Sequence, residues 1–269
     1  MRIVRLIVCC LPLLLSAGIA RAAVMDQVNI GLQDLINTVE RPFKVDPNTG
    51  VAPLQDLTAD FFQRSTLADK HGKEVRGDGQ VYLRTATSTD PIMFRFDYFR
   101  PTDHEVVCDG RTLWVYLKAD RKVIESDVSE FLNPQNFENQ SRAVNFFQGL
   151  DRIDKDFQIT FPPQYQDPAG NFILELTPRR ATATIAKLFI TVNRDTAMRN
   201  SFLKQGRTDY APRSQELLFP ILATTVVDHD GNQTTIEFSN VKTNSHLPNS
   251  FFFFDVPGYV QVVRPPTGR

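Results

Sequence analysis

Short alternating segments joined by tight turns constrain this chain most strongly. The segment MFRFDYF places Phe94, Phe96 and Tyr98 on one face of a strand and charged side chains on the other. Asp109 and Gly110 then form a strong hairpin signal between two further apolar runs. Hairpins this tight can join only antiparallel neighbours, so the chain is predicted to fold as a meandering antiparallel sheet.

Ten to eleven segments have the character of strands, and a sheet of that size is expected to curl. The segments are residues 80–84, 93–99, 105–108, 112–118, 123–126, 157–161, 172–177, 187–192, 220–228, 233–238 and 251–256.

Helices are predicted in three other regions, and they are the available cover for the inner face of the sheet. Residues 26–40 have one apolar helical face, and residues 54–66 are interpreted as a second helix. Residues 127–150 are predicted to form two short helices broken at Pro134. The polar residues 200–216 are expected to be a long surface excursion.

The N-terminus resembles an export signal. A short basic segment precedes the apolar residues 6–15, and Ala20, Arg21 and Ala22 fit a small-x-small cleavage pattern. We therefore expect residues 1–22 to be a signal peptide cleaved after Ala22, leaving residues 23–269 as one domain. The alternative is an uncleaved anchor, although the apolar run is shorter than a bilayer span.

Charge and cysteine content limit what the mature chain can do. Residues 1–22 hold three arginines and no acidic residue, so 27 basic and 31 acidic residues remain. This balance argues against a nucleic-acid partner. Cys108 is then the one cysteine left, so no intramolecular disulfide can form. Cys108 is interpreted as a small buried hydrophobic residue, since none of its neighbours lowers a thiol pKa.

Sequence motifs for catalysis, metals or cofactors are missing. The four histidines lie beside turn residues at no metal-ligand spacing, and no G-x-S-x-G, P-loop or G-x-G-x-x-G segment occurs. Asp97 with Asp103 or Glu105 could form a carboxylate pair, but acids on hairpins are more often solvated. We therefore predict no enzyme, no metal and no cofactor.

Apolar surface is the prominent feature instead. The segments TLWVYLK and SFFFFDVP are apolar on both strand faces, so both faces should be covered. Two interpretations stay open at this point. Helices and sheet can form an ordinary packed core, or they can enclose a cavity for a hydrocarbon ligand.

The order of several segments resembles one family. It is similar to the LolA family of periplasmic outer-membrane lipoprotein carriers in LQDLTADFFQRS, GDGQVYLR, FRFDYFRPTDHEVVCDGRTLWVYLKADRKVIES and DHDGNQTTIEFSNVKTNSHLPNSFFFFDVPGYVQVV. The resemblance implies a mainly β fold, an incomplete and strongly curved antiparallel β-barrel covered by a helical lid. It further implies a monomer that accepts acylated lipoproteins from an inner-membrane ABC transporter and delivers them to an outer-membrane receptor. A lipid-binding periplasmic sensor module with the same fold is the alternative function.

Site residues follow from the same resemblance. Arg84 matches an arginine that holds the lid closed, and it could equally be a solvated arginine at a strand end. Phe94 matches a cavity phenylalanine that governs transfer, or it is plain core. The residues expected around the acyl-chain cavity are Phe61, Phe94, Phe96, Tyr98, Trp114 and Phe252 from the sheet region, and Phe131, Leu132, Phe146 and Phe147 from the lid. The segment 85–90 and the excursion 200–216 depart from the family pattern.

Overall fold

A computed structural model describes residues 30–68, 72–128, 149–182, 185–206 and 219–265. The N-terminal segment 1–22 and most of the predicted lid, residues 129–148, lie outside these ranges. Within them, no helix combines the length and hydropathy that a membrane span requires.

One twelve-stranded sheet dominates the described chain. Its strands are β1 (Asp56–Leu67), β2 (Lys73–Arg84), β3 (Met93–Arg100), β4 (His104–Cys108), β5 (Thr112–Leu117), β6 (Lys122–Asp127), β7 (Phe157–Thr160), β8 (Phe172–Pro178), β9 (Lys187–Val192), β10 (Ile221–Val227), β11 (Gln233–Thr243) and β12 (Gln261–Val263). The helices are α1 (Leu32–Glu40), α2 (Ile153–Asp156) and α3 (Arg194–Lys204), with a 3-10 turn at Asn249–Phe252.

The sheet is curved and unclosed, which confirms the predicted incomplete barrel. Its spatial order is β12-β6-β5-β4-β3-β2-β1-β11-β10-β9-β8-β7. Neighbours pair antiparallel, except that β12 runs parallel to β6. The strands β6 and β12 are far apart in the sequence, and residues 244–260 lead the chain from β11 to the position beside β6.

The predicted hairpin at Asp109 and Gly110 is present. Asp109 Oδ1 accepts hydrogen bonds from the amides of Arg111 (2.8 Å) and Thr112 (2.7 Å). Gly110 has φ +91°, and a Cβ there would lie 2.3 Å from a ring atom of Pro91. Only glycine fits both the backbone conformation and the space.

The prediction of a helix over residues 54–66 is wrong, because this segment is β1. Leu57 and Phe61 are four residues apart, a spacing that fits a helix face and also the alternate positions of a strand. Leu57, Ala59 and Phe61 are buried on one side of β1, whereas Phe62 is exposed. Pairing with both β2 and β11 along its length decides the conformation.

The prediction of a strand over residues 251–256 is also wrong. The backbone makes the 3-10 turn at Asn249–Phe252 and then continues to β12 without pairing to any strand of the described ranges. The predicted excursion at 200–216 begins within α3, and residues 207–218 lie outside the described ranges.

The apolar core covers one face of the sheet, which we call the concave face. Its buried cluster unites side chains of every strand from β1 to β4 and from β7 to β11 with side chains of the helices. From α1 it includes Leu35, Ile36 and Val39, and from α2 it includes Ile153. Lys204 of α3 forms an ion pair with Asp34 of α1 at 2.8 Å, which is one of the contacts between the two helices.

Gly79 allows two neighbouring strands to approach. A Cβ at this position would lie 1.9 Å from the Asp97 carbonyl oxygen and 3.0 Å from the Phe61 ring. We expect Gly79→Ala to lower the free energy of unfolding by about 1–3 kcal/mol, as overpacking does. Urea unfolding followed by circular dichroism measures the change.

Gly258→Ala is the matched control, because no atom of the described residues lies within 4 Å of a Cβ at Gly258. Equal stability of the two variants would contradict the close approach of β2 and β3.

Candidate functional site

Four of the predicted site residues meet on the concave face. Phe61, Phe94, Phe96 and Tyr98 are each at most 9% exposed. The Phe61 ring lies edge-on to Phe96 with centroids 5.4 Å apart and to Tyr98 at 4.8 Å. The ring centroids of Phe94 and Phe96 lie 6.1 Å apart. The rings form a continuous apolar floor, which we call the ring cluster.

Strand register explains why these rings converge. Phe94 and Phe96 of β3 lie opposite Leu83 and Val81 of β2, which are fully buried. Further along the same strands, Gly79 lies between Phe61 and Tyr98. The missing side chain at Gly79 leaves the space in which those two rings touch.

Tyr98 gives the ring cluster one polar group. Its hydroxyl donates to Gln63 Oε1 at 2.9 Å, and its ring stacks on His104 at 4.1 Å. Burial raises the pKa of Tyr98 to about 12, so the hydroxyl remains a neutral donor at physiological pH. The cluster therefore carries no charge that would repel a hydrocarbon chain.

A second row of aromatic rings adjoins the ring cluster, and the sequence analysis does not identify it. Phe238 of β11 lies edge-on to Phe219 at 6.0 Å, and Phe219 lies edge-on to Phe43 at 6.2 Å. Phe61 pairs directly with Phe238 across β1 and β11, which extends the ring cluster in that direction. Alternation within residues 233–238 marks Phe238 as a candidate, but Phe43 and Phe219 lie outside strands and have no such signal.

Trp114 and Phe252 lie on the other face of the sheet, which we call the outer face. Trp114 lies opposite Val107, and Val107 lies opposite Arg95, so all three point away from the ring cluster. Phe252 is completely buried in a small separate cluster with Met93 and Leu247. The structure therefore does not bring Trp114 or Phe252 together with Phe94 and Phe96.

Arg84 also belongs to the outer face, since it pairs with Met93 across β2 and β3. Its Nη1 donates to Asn249 Oδ1 and its Nη2 to the Leu247 carbonyl. Its guanidinium lies 5.5 Å from the centre of the Phe252 ring. The contacts observed for Arg84 thus hold the C-terminal segment.

The predicted role of Arg84 in closing the lid stays a prediction. The roles of Phe131, Leu132, Phe146 and Phe147 also stay predictions, because all four of these residues lie outside the described ranges.

The remaining outer face of β3–β5 is polar. Arg95 bridges Asp97 at 2.7 Å and Glu105 at 2.8 Å, and Lys118 contacts Glu105 at 2.9 Å. Burial raises the pKa of Asp97, while Arg95 acts in the opposite direction. Asp97 and Glu105 therefore form part of an ion-pair network with a cation between them.

Cys108 is completely buried beside the ring cluster, opposite Phe94. Burial raises the pKa of its thiol to about 12. In the part of the chain that the structure describes, no three His, Cys, Asp or Glu side chains group closely enough to hold a metal ion.

The environment of Cys108 gives a test of the core. We expect the folded protein without residues 1–22 to leave a thiol-reactive disulfide reagent unconsumed at pH 8, because the thiol is protonated and inaccessible. After denaturation one equivalent should react. Rapid reaction of the native protein would show that the strand bearing Cys108 is not packed as described.

The contacts of Arg84 give a second test. Arg84→Ala removes two charged hydrogen bonds and should lower the free energy of unfolding by about 2–3 kcal/mol. The substitution should also speed hydrogen exchange at the backbone amides of Ser245 and Leu247. These amides donate hydrogen bonds to the Asp56 carboxylate at 2.7 and 3.3 Å.

Arg100→Ala is the control, since Arg100 is 78% exposed and its pair with Asp78 should contribute less than about 1 kcal/mol. Unchanged amide exchange in Arg84→Ala would refute the anchoring role.

Comparison with known proteins places the chain in a family. Residues 52–203, more than half of the chain, match the family model described as "Outer membrane lipoprotein carrier protein LolA". An outer-membrane lipoprotein carrier protein from Bordetella avium is 27% identical, with 80% of this chain and 83% of that protein covered. A protein of the same name from Xanthomonas campestris is 27% identical, with 78% and 82% covered. A LolA superfamily structure from Nitrosomonas europaea aligns with a TM-score of 0.39 at 14% identity, over 82% of this chain and 97% of that chain. The chain belongs to the LolA family of outer-membrane lipoprotein carriers.

Proposed function

We propose that this protein binds the acyl chains of lipoproteins against the ring cluster and carries them across the periplasm. The observation that supports this most strongly is the continuous apolar floor of Phe61, Phe94, Phe96 and Tyr98, extended by Phe238. Relatives named as lipoprotein carriers support the cargo class.

Shelter from water explains why such a floor is needed. Each CH₂ exposed to water costs ~0.8 kcal/mol, so one acyl chain of about sixteen carbons costs on the order of 10 kcal/mol. A lipoprotein cannot cross an aqueous compartment against that cost. A carrier must therefore offer an apolar surface of similar extent.

Release of the cargo requires that binding of the acyl chain be unspecific and reversible. Each ring pair contributes only about 0.5–1.5 kcal/mol beyond its buried area, so the rings can part and close again. The rings present flat apolar faces with few polar groups, which suits cargo that shares only its lipid. In the described state the rings are buried against each other, in the same apolar cluster as side chains of α1. Binding therefore includes a movement that uncovers them, in which residues 127–150 act as the lid.

Export and partners complete the proposal. Cleavage after Ala22 places residues 23–269 in the periplasm as one monomeric domain. An inner-membrane ABC transporter supplies the cargo, and an outer-membrane receptor takes it. Depletion of the protein in the producing cell should strand lipoproteins in the inner-membrane fraction, and unchanged sorting would contradict the carrier function.

Binding itself is tested by uptake of a fluorescent sixteen-carbon fatty acid. Phe61→Ser should weaken uptake roughly tenfold, because about 1.4 kcal/mol of apolar contact corresponds to that factor. Phe62→Ser is the matched control on the same strand, since Phe62 is 37% exposed on the outer face.

Both variants are checked for folding by circular dichroism, and Phe61→Leu replaces Phe61→Ser if the latter does not fold. Equal uptake by the Phe61 and Phe62 variants would place the acyl chain elsewhere.

A further inference from the structure

The segment from residue 244 to residue 259 crosses the outer face, and we call it the C-terminal strap. It exposes four large apolar side chains within nine residues. Phe251 is 37%, Phe253 56%, Val256 38% and Tyr259 69% exposed. Single exposed apolar residues are ordinary, but a group of four on one short segment indicates an interaction surface.

The strap is fixed to the sheet at its start. Asp56 accepts hydrogen bonds from the amides of Ser245 and Leu247, and Arg84 holds Leu247 and Asn249. The Phe252 ring is completely buried beneath it. The exposure of Phe251 and Phe253 therefore follows from the anchored position of the ring between them.

The strap is fixed at its other end as well. The Phe254 ring packs against Trp114 and Tyr116, with centroid separations of 6.2 Å and 5.6 Å. The Tyr116 and Tyr259 hydroxyls lie 3.3 Å apart, and β12 then pairs with β6. Trp114, although absent from the ring cluster, thus supports the surface that carries Phe253 and Tyr259.

The charges beside the strap are balanced. Arg121 and Lys122 lie at the turn that meets β12, where the Arg121 carbonyl accepts from the Gln261 amide at 2.8 Å. Asp120 in the same turn and the exposed Asp255 on the strap itself supply two negative charges. Exposed Phe and Tyr with charges of both signs match the interface of a bilayer whose headgroups are zwitterionic.

We propose that the C-terminal strap docks this protein on the interface of a zwitterionic phospholipid bilayer, with Phe253 and Tyr259 entering the headgroup region. The contact is peripheral and reversible, because a few side chains provide the apolar area. It lies on the face opposite the ring cluster, so a carrier could rest on a membrane with its concave face free. The contact is therefore distinct from the acyl-chain site.

The test is co-sedimentation of the cargo-free protein with vesicles of phosphatidylethanolamine and phosphatidylcholine. The double variant Phe253→Ser and Tyr259→Ser should require at least tenfold more lipid for half-binding than the unaltered chain. The control is Phe161→Ser with Tyr165→Ser, two exposed rings 5.6 Å apart beyond β7, at the other edge of the sheet. It should bind like the unaltered chain.

Other outcomes overturn the proposal. The proposal fails if the unaltered chain does not bind the vesicles, or if both double variants lose vesicle binding equally. It also fails if the unaltered chain binds only vesicles that contain phosphatidylglycerol. Self-association that the strap variant abolishes, measured by sedimentation velocity, would make the strap an interface between two copies. If the double variant unfolds at a lower urea concentration, Phe253→Ser alone replaces it.

Fatty-acid uptake by the strap variant separates this proposal from the carrier function. Normal uptake with lost vesicle binding supports the strap as a separate docking surface. Vesicle binding without uptake by the unaltered chain would remove the carrier proposal and leave the docking proposal standing. Loss of uptake in the strap variant alone would contradict the independence of the two surfaces.

Discussion

An open sheet that is apolar on one face must have that face covered, and the architecture follows from this constraint. Nine of the twelve strands contribute buried apolar side chains to one cluster, and that side of the sheet cannot be left in water. The sheet curves, and α1 packs Leu35, Ile36 and Val39 into the concave face. Because the sheet does not close on itself, its cover is formed by separate segments, which is the arrangement a reversible carrier needs.

The outer face is stabilised mainly by ion pairs and directed hydrogen bonds. Arg95, Asp97 and Glu105 form ion pairs there, next to a small apolar cluster around Phe252. Arg84 lies in this second region and holds the strap through directed hydrogen bonds. The two faces therefore have separate roles in our account: apolar shelter on the concave face, and anchoring of the strap on the outer face.

Much of this arrangement could be predicted from alternation and turns. The Asp109-Gly110 hairpin and the shared face of Phe94, Phe96 and Tyr98 are both confirmed. Helix and strand could not be separated over residues 54–66, because Leu57 and Phe61 satisfy both periods and long-range pairing decides between them. The rings of residues 251–254 resemble a strand, yet none of the twelve strands that the structure describes pairs with them.

Alternation within a strand does not determine which face of the sheet a side chain shares with residues of distant strands. Alternation shows that Trp114 and Tyr116 share a face, but it does not show whether that face is the one occupied by Phe96. Register supplies this information, and it places Trp114 beneath the strap. Likewise, the match of Arg84 to a family arginine says nothing of the segment it contacts, which depends on how residues 244–252 return to the sheet.

The most direct test of the central claim is photo-crosslinking of a lipoprotein with radiolabelled acyl chains. A benzophenone analogue of phenylalanine is placed at position 96, within the ring cluster, or at position 62 on the outer face. Our account predicts an acyl-linked adduct from position 96 and none above background from position 62. An adduct from position 62 alone would show that the concave face is an ordinary core and that the cargo binds elsewhere.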